Sequence, residues 1–280
     1  MRALSPSLRK AAVGFALAGA LWRTSASADL ARTPALDDAH AAELWARADS
    51  ARYARRSASS LRAVERLLAS FPAEPRYLSL EAEDLERLQR PLDAARSWEL
   101  FMKSAPFPTD ACPRLGRDYE AAGLPEAALD AHRRCLSLDT TQVDLMIYLA
   151  RALRRAGRYE EATSLYARAA RRAPKDLDAT LGPILIDIRR GQTRRAEAAL
   201  APLEARAPRN CDVLLVRGRL SLKENRPARA RDALEQAARL CPGYPEVLRD
   251  LLRAQTVLND AEGARRTQAD LSARPGARTE

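Results

Sequence analysis

Aromatic residues make up only 5% of this 280-residue chain. That scarcity excludes a single bulky core built on large rings. It suits helices that approach closely through small side chains, and alanine is plentiful. Histidine occurs twice, at His40 and His132. Two separated histidines make no metal site without cysteine or carboxylate help at helical spacing, and none is supplied. The four cysteines, Cys112, Cys135, Cys211 and Cys241, form no C-x-x-C pair, so zinc and thioredoxin-like chemistry lack support. G-x-S-x-G, the phosphate-binding loop and H-E-x-x-H are also missing. Ser57, Ser59 and Ser60 lie in a helix-start region and read as capping or turn residues. The chain therefore reads as a non-enzyme, with no catalytic residue, cofactor or metal.

Long hydrophobic runs are equally scarce. The single clear one is Ala11 to Trp22, too short to span a bilayer comfortably as a permanent helix. Arg2, Arg9 and Lys10 precede it and Ala26-Ser27-Ala28 follows. This is the pattern of a secretory signal peptide over residues 1–28, with cleavage expected before Asp29. It predicts a periplasmic or secreted protein. The alternative is an uncleaved segment, anchored to the inner membrane by residues 11–22. No cysteine lies near the expected cut, so a lipid anchor is not indicated. Removing the four basic residues of this segment lowers the net charge from +10 to +6. Export conflicts with a nucleic-acid partner, so the charge reads only as weak attraction to something anionic.

What the chain does contain is a period of 34 residues. Proline stands at Pro72, Pro106, Pro174, Pro208 and Pro242, with Thr140 filling the gap. Alanine recurs at Ala94, Ala128, Ala162, Ala196, Ala230 and Ala264, and Gln, Gly or Asn at Gln89, Gly123, Gly157, Gly191, Asn225 and Asn259. Three columns in one register mark a stacked helical array. In Val143 to Asp176, Met146, Leu149, Ala150 and Leu153 recur at helical spacing. Gly157 ends that first helix, because glycine accepts the left-handed conformation that follows one. Tyr159, Ala162, Tyr166 and Ala169 give the stripe of a second helix, which Pro174 stops.

These residues, position by position, resemble the tetratricopeptide repeat. The resemblance implies an all-α fold, a right-handed superhelical solenoid of about seven 34-residue helix-turn-helix repeats. The clearer repeats are Pro75–Pro108, Thr109–Gln142, Val143–Asp176, Leu177–Asn210, Cys211–Tyr244 and Pro245–Arg278. Ala41–Glu74 is a weaker first repeat, with Ser60 where the others carry alanine. Residues 29–40 are expected to form a flexible lead-in, and 41–278 one continuous solenoid. The last helix carries Arg265, Arg266, Gln268 and Asp270 around only Ala264 and Leu271, as a capping repeat does. Gly182-Pro183 predicts a kink or a late helix start. Pro106-Phe107-Pro108 predicts a stiff connection.

In an antiparallel helix pair the start of one helix faces the end of the other. Among the three connectivities this favours Cys112–Cys135 and Cys211–Cys241. Four buried free thiols are the competing reading. His132 takes an aromatic position of a second helix and reads as a packed core residue.

Asp110, Asp144, Asp178, Asp212 and Glu246 open the first helices, and Arg87, Arg155, Arg189 and Lys223 close them; helix-dipole matching accounts for both columns. Arg117, Arg151, Arg219 and Arg253 share a mid-helix position, where the dipole does not apply. In the family this position commonly faces a concave groove that binds segments of partner proteins. With Arg155 they are the candidate partner-binding residues, suited to acidic side chains, a terminal carboxylate or an anionic glycan. Leu185 breaks the column, Glu83 and Asp49 oppose it, and a plain solvated face explains it equally well. The asparagine-rich clamp of some chaperone-binding members is not matched. The functional expectation is an exported adaptor of the bacterial cell envelope, holding an envelope protein or peptide segment, acidic in character. The alternative is a carbohydrate-associated component of polysaccharide export or cell-wall synthesis that binds an anionic polymer. Trp98 as a core residue and Trp45 in the weak repeat count against the alternative.

Overall fold

The computed structural model describes residues 36–273. The expected signal segment, most of the lead-in and residues 274–278 of the last repeat lie outside them. Among the described residues there are fourteen α-helices, one 3-10 turn and no strand. They form an all-α helical solenoid of paired helices. The described helices fall into two compact units, divided between Ala131 and His132.

The first unit holds α1 (Asp38–Tyr53), α2 (Ser57–Ser70), α3 (Pro75–Arg87), α4 (Pro91–Ser104) and, after the 3-10 turn Pro108–Ala111, α5 (Cys112–Ala121). The unit boundary falls within α6 (Pro125–Leu138). The second unit continues with α7 (Val143–Arg155), α8 (Tyr159–Arg172), α9 (Leu177–Arg189), α10 (Thr193–Arg206), α11 (Cys211–Lys223), α12 (Pro227–Leu240), α13 (Pro245–Val257) and α14 (Ala261–Ser272).

Helix α1 begins three residues before the expected repeat. Asp37 caps it by accepting the His40 backbone N–H at 2.8 Å, so residues 38–40 are helix rather than lead-in. The Gln/Gly/Asn column marks the turn inside each pair. Gln89, Gly123, Gly157, Gly191, Asn225 and Asn259 all adopt φ between 57° and 76°. Arg55 does the same at 56° in the first repeat, where the sequence showed no signal. This left-handed residue reverses the chain and releases it into the second helix.

Where the two helices of a pair cross, the alanine column is shut off from water: Ala94, Ala128, Ala162, Ala196 and Ala230 are fully buried. Ser60 takes the same place in the first repeat. Its hydroxyl is buried without a hydrogen-bond partner, a cost that alanine avoids. In the first unit Leu44, Ala48, Val64, Leu67, Tyr77 and Leu80 form one cluster, and Trp98 packs with Ala82, Ala95, Leu115 and Ala131 in another. In the second unit Leu181, Ile184 and Ile188 of α9 meet Leu200 and Leu203 of α10 and Val213, Val216 and Leu220 of α11. Each such side chain, fully buried, stabilises by roughly 1.5–3 kcal/mol.

In the second unit the first helices α7, α9, α11 and α13 touch one another in series. The second helices are not packed together to that extent. The stack of this unit therefore curves toward its first helices, which form the inner layer. On α14, Arg265, Arg266, Gln268 and Asp270 are exposed, while Leu271 is buried.

The late helix start expected at Gly182-Pro183 is not found. Helix α9 runs from Leu177 through Pro183 to Arg189, and Asp176 caps it by accepting the Ala179 N–H at 2.8 Å. The glycine has a packing reason: a Cβ on Gly182 would lie 2.3 Å from the ring of Tyr166, itself buried in α8. Gly182→Ala should therefore destabilise the protein by about 1–3 kcal/mol through overpacking. Thermal melting reads this directly, and an unchanged midpoint would show that the Tyr166 ring can move aside.

Candidate functional site

The candidate site is the face of the first helices. In the second unit, Arg151 on α7 reaches Asp178 on α9 at 2.5 Å, and Arg219 on α11 reaches Asp250 on α13 at 2.6 Å. In the first unit, Arg117 on α5 reaches Glu86 on α3 at 2.7 Å, and Arg52 on α1 lies 3.7 Å from Glu83 on α3. Each pair ties a first helix to the first helix of the neighbouring repeat. Arg117, Arg151 and Arg219 among the five candidate arginines are therefore tied within the fold, and Arg155 also takes part in an interaction there. Arg155 is exposed at the end of α7, and Arg253 is exposed on α13 without an ion pair to any described residue.

Asp178 belongs to the acidic column that dipole matching had explained, and it serves as the acceptor for Arg151. Asp212 in the same column accepts the Tyr244 hydroxyl at 3.0 Å. Burial and that carboxylate push the Tyr244 phenol up to about 12. One largely buried cation is a residue that sequence reasoning missed. Arg217 on α11, 12% exposed, is held by Glu204 and Glu197 of α10. Those hydrogen bonds raise its pKa further. It belongs to no column, so no periodic signal could have marked it.

In the first unit Glu86 is a hub. It accepts from the Trp98 indole N–H at 3.1 Å, from Arg117 at 2.7 Å and from Arg114 at 3.4 Å. The Arg114 guanidinium lies over the Trp98 ring at 5.5 Å. Trp98 is buried, as expected of a core ring. His132 is buried and stacked on Tyr148 at 6.2 Å. Burial, with Arg155 nearby, lowers its pKa to about 4, so it stays neutral near pH 7.

Cys211 and Cys241 are joined by a disulfide that ties the start of α11 to the end of α12. Cys112 and Cys135 are also disulfide-bonded. Among the described residues no helix is long and apolar enough to cross a membrane.

This architecture, helix pairs stacked with an exposed inner layer, defines a class of helical-repeat scaffolds. Two family models described as tetratricopeptide repeat match residues 119–179 and 185–245. Similar solved structures include a tetratricopeptide repeat protein from Parabacteroides merdae, 15% identical, with a TM-score of 0.68 over 84% of this chain and 91% of that one. PilW, a type IV pilus biogenesis factor, is 20% identical with a TM-score of 0.52 over 71% of this chain and 93% of its own. MamA is 18% identical with a TM-score of 0.51 over 68% and 94%. No curated protein matches the chain. The chain is a tetratricopeptide repeat protein. Members of that family generally act as non-enzymatic scaffolds for protein–protein interaction.

One group on this face titrates unusually. Asp118 on α5 is 3% exposed, within hydrogen-bonding reach of Glu86, and its Oδ2 lacks a partner. Two carboxylates cannot share such a site fully ionised, so one proton is held between them. Burial first, and then the Glu86 charge, push Asp118 up to about 7, against the pull of Arg117 and Arg114. The folded protein then keeps a proton that the unfolded chain has released. This stabilisation is complete below the ordinary carboxylate value and is lost as pH rises through about 7. Denaturant titrations between pH 5 and pH 8.5 should show stability falling across that window in the parent and a flatter profile in Asp118→Asn. Parallel profiles would remove the shared proton.

Proposed function

We propose that this protein is an exported, non-enzymatic adaptor of the bacterial cell envelope, holding a segment of a partner protein against its first helices. The observation that carries this reading is the row of guanidinium groups on helices already ordered before any partner arrives. A preformed surface loses little freedom on binding. Arg117, Arg151, Arg155, Arg219 and Arg253 are the proposed contacts. The ties of Arg117 and Arg151 are partly exposed, and such pairs contribute only about 0–1 kcal/mol. A partner carboxylate can therefore exchange with Glu86 or Asp178 at small cost.

To test this, the double reversal Arg155→Glu/Arg253→Glu is compared with the parent in pull-downs from envelope extract at several salt concentrations. Captured protein should fall and its salt dependence weaken, with the helical circular-dichroism spectrum retained. Equal capture by both proteins would remove the groove assignment.

Export is supported by the signal-like start and by the disulfide between Cys211 and Cys241, since such bonds persist in oxidising compartments. We pair Cys112 with Cys135 in the same proposal. Non-reducing peptide mapping of protein made in its host should find both linked pairs and an N-terminus at Asp29. Free thiols and an intact Met1 would overturn export.

The second reading, binding of an anionic polymer by a carbohydrate-associated component, has one observation in its favour. Trp45 on α1 is partly exposed, with the Arg76 guanidinium 5.8 Å from its ring. An accessible ring of this kind can stack on a sugar. Under this reading the protein retains a labelled anionic polysaccharide directly and Trp45→Ala loses it, whereas under the first reading Trp45→Ala leaves capture of the partner protein unchanged.

A further inference from the structure

On the inner layer of the second unit, one set of cations is left open while Arg151 and Arg219 are tied. Lys223 follows Arg219 by four residues on α11, so the two share a face, and Arg219 already reaches across to α13. Arg189 holds the same repeat position on α9. Lys223 bends back toward the turn that follows α9: its Cε lies 3.8 Å from where a Cβ on Gly191 would stand. On α13 the corresponding residue is Val257, which is apolar and 53% exposed. The charge is instead supplied one turn earlier by Arg253, with Arg249 a further turn back. Arg189, Lys223, Arg249 and Arg253 are all exposed, and none is tied to another described residue. The second unit thus presents one open positive step per repeat on three helices that touch in series, α9, α11 and α13.

Most acids on the same helices are already engaged. Asp178 is taken by Arg151, Asp187 by Arg195, Asp212 by Tyr244 and Asp250 by Arg219. Asp178 also lies eleven residues before Arg189, about 16 Å along the helix axis. Glu246 stands in the first turn of α13, seven residues before Arg253. A chain lying on Arg189, Lys223 and Arg253 therefore meets net positive charge.

Spacing then selects the ligand. Neighbouring packed helices stand about 8–10 Å apart. A peptide in the extended polyproline-II form advances about 3.1 Å per residue with three residues per turn, so every third side chain faces the same way about one repeat further on. A helical ligand advances about 1.5 Å per residue and needs six or seven. A helix of about 10–12 Å diameter would also spread from the cations toward the acids at the other helix ends. We propose that the inner face of α9, α11 and α13 takes an extended acidic segment of a partner protein with a carboxylate at every third residue. This rests on the adaptor reading and assigns it a ligand chemistry and a register. It also moves the recognition from tied arginines to Arg189, Lys223, Arg249 and Arg253.

The experiment uses the full chain and fluorescein-labelled synthetic peptides of one composition. In one, three aspartates stand at i, i+3 and i+6 among Gly and Ser. In its isomers they are adjacent, or at i, i+2 and i+4. An alanine-based helical peptide carries them at i, i+7 and i+14. Fluorescence anisotropy at low salt should show the i+3 peptide binding roughly tenfold tighter than its isomers and the helical peptide. Arg189→Ala/Lys223→Ala should abolish that preference and flatten the salt dependence. Its melting curve should match the parent's, because neither side chain is tied in the fold. Equal binding of all isomers, stronger binding of the helical peptide, or an i+3 preference that survives the double substitution overturns the proposal. If heparin binds as tightly as the i+3 peptide, a non-specific polyanion surface replaces it. If these peptides fail while an envelope protein is still captured in an Arg155- and Arg253-dependent way, the register is wrong and the adaptor reading stands.

Discussion

The close approach of two helices over an alanine methyl is the contact on which this structure depends. It occurs at Ala94, Ala128, Ala162, Ala196 and Ala230, each fully buried. Small side chains at the crossing bring the axes together, and the larger Leu, Ile and Tyr residues on either side then close the space. Gly182 beneath Tyr166 and Gly218 beneath Leu234 push the same logic to its limit, where even a methyl group would collide. Because each crossing is filled locally, the chain builds its interior pair by pair, and charge stands on the exposed face of the first helices.

That surface is electrostatic, and its charges do two jobs. Arg117, Arg151 and Arg219 each span from one first helix to the next through a carboxylate. These ties fix the spacing of neighbouring repeats in register with the packing beneath. Where burial deepens the effect grows. Arg217 is clamped between two glutamates, and burial beside the Glu86 charge makes Asp118 hold its proton against the pull of Arg117 and Arg114. On the first helices of the second unit, Arg189, Lys223, Arg249 and Arg253 carry no ion pair to a described residue, and these are the cations the proposed partner would engage.

Much of the fold was legible from residue order alone. Helix pairs, turn positions and buried alanines each follow from a local rule acting once per 34 residues. The departures have local causes too. Arg55 adopts the left-handed turn conformation without being Gly or Asn, because the helices on either side hold it there. Asp37 starts α1 early because a capping carboxylate needs only the next three residues. At Pro183 the helix continues because neighbouring contacts, chiefly around Tyr166, outweigh one lost hydrogen bond. The candidate site was legible only in part. The arginine column was visible, but its acceptors Glu86, Asp178 and Asp250 lie about thirty residues away in positions of different repeat phase. Nothing in a single-column comparison links them.

The order of residues by itself therefore determined what is short-range and periodic: helix, reversal, helix, and the small side chain at each crossing. These depend on neighbours three, four or thirty-four positions away, and such spacings can be counted along a chain. Only the tertiary structure decided which charges are satisfied and which stay open. An ion pair depends on a distance of a few ångströms between side chains on different helices, and that distance is set by how repeats lean on one another. Arg219 and Lys223 are four residues apart and chemically alike. Asp250 stands within reach of the first, and no acid ties the second.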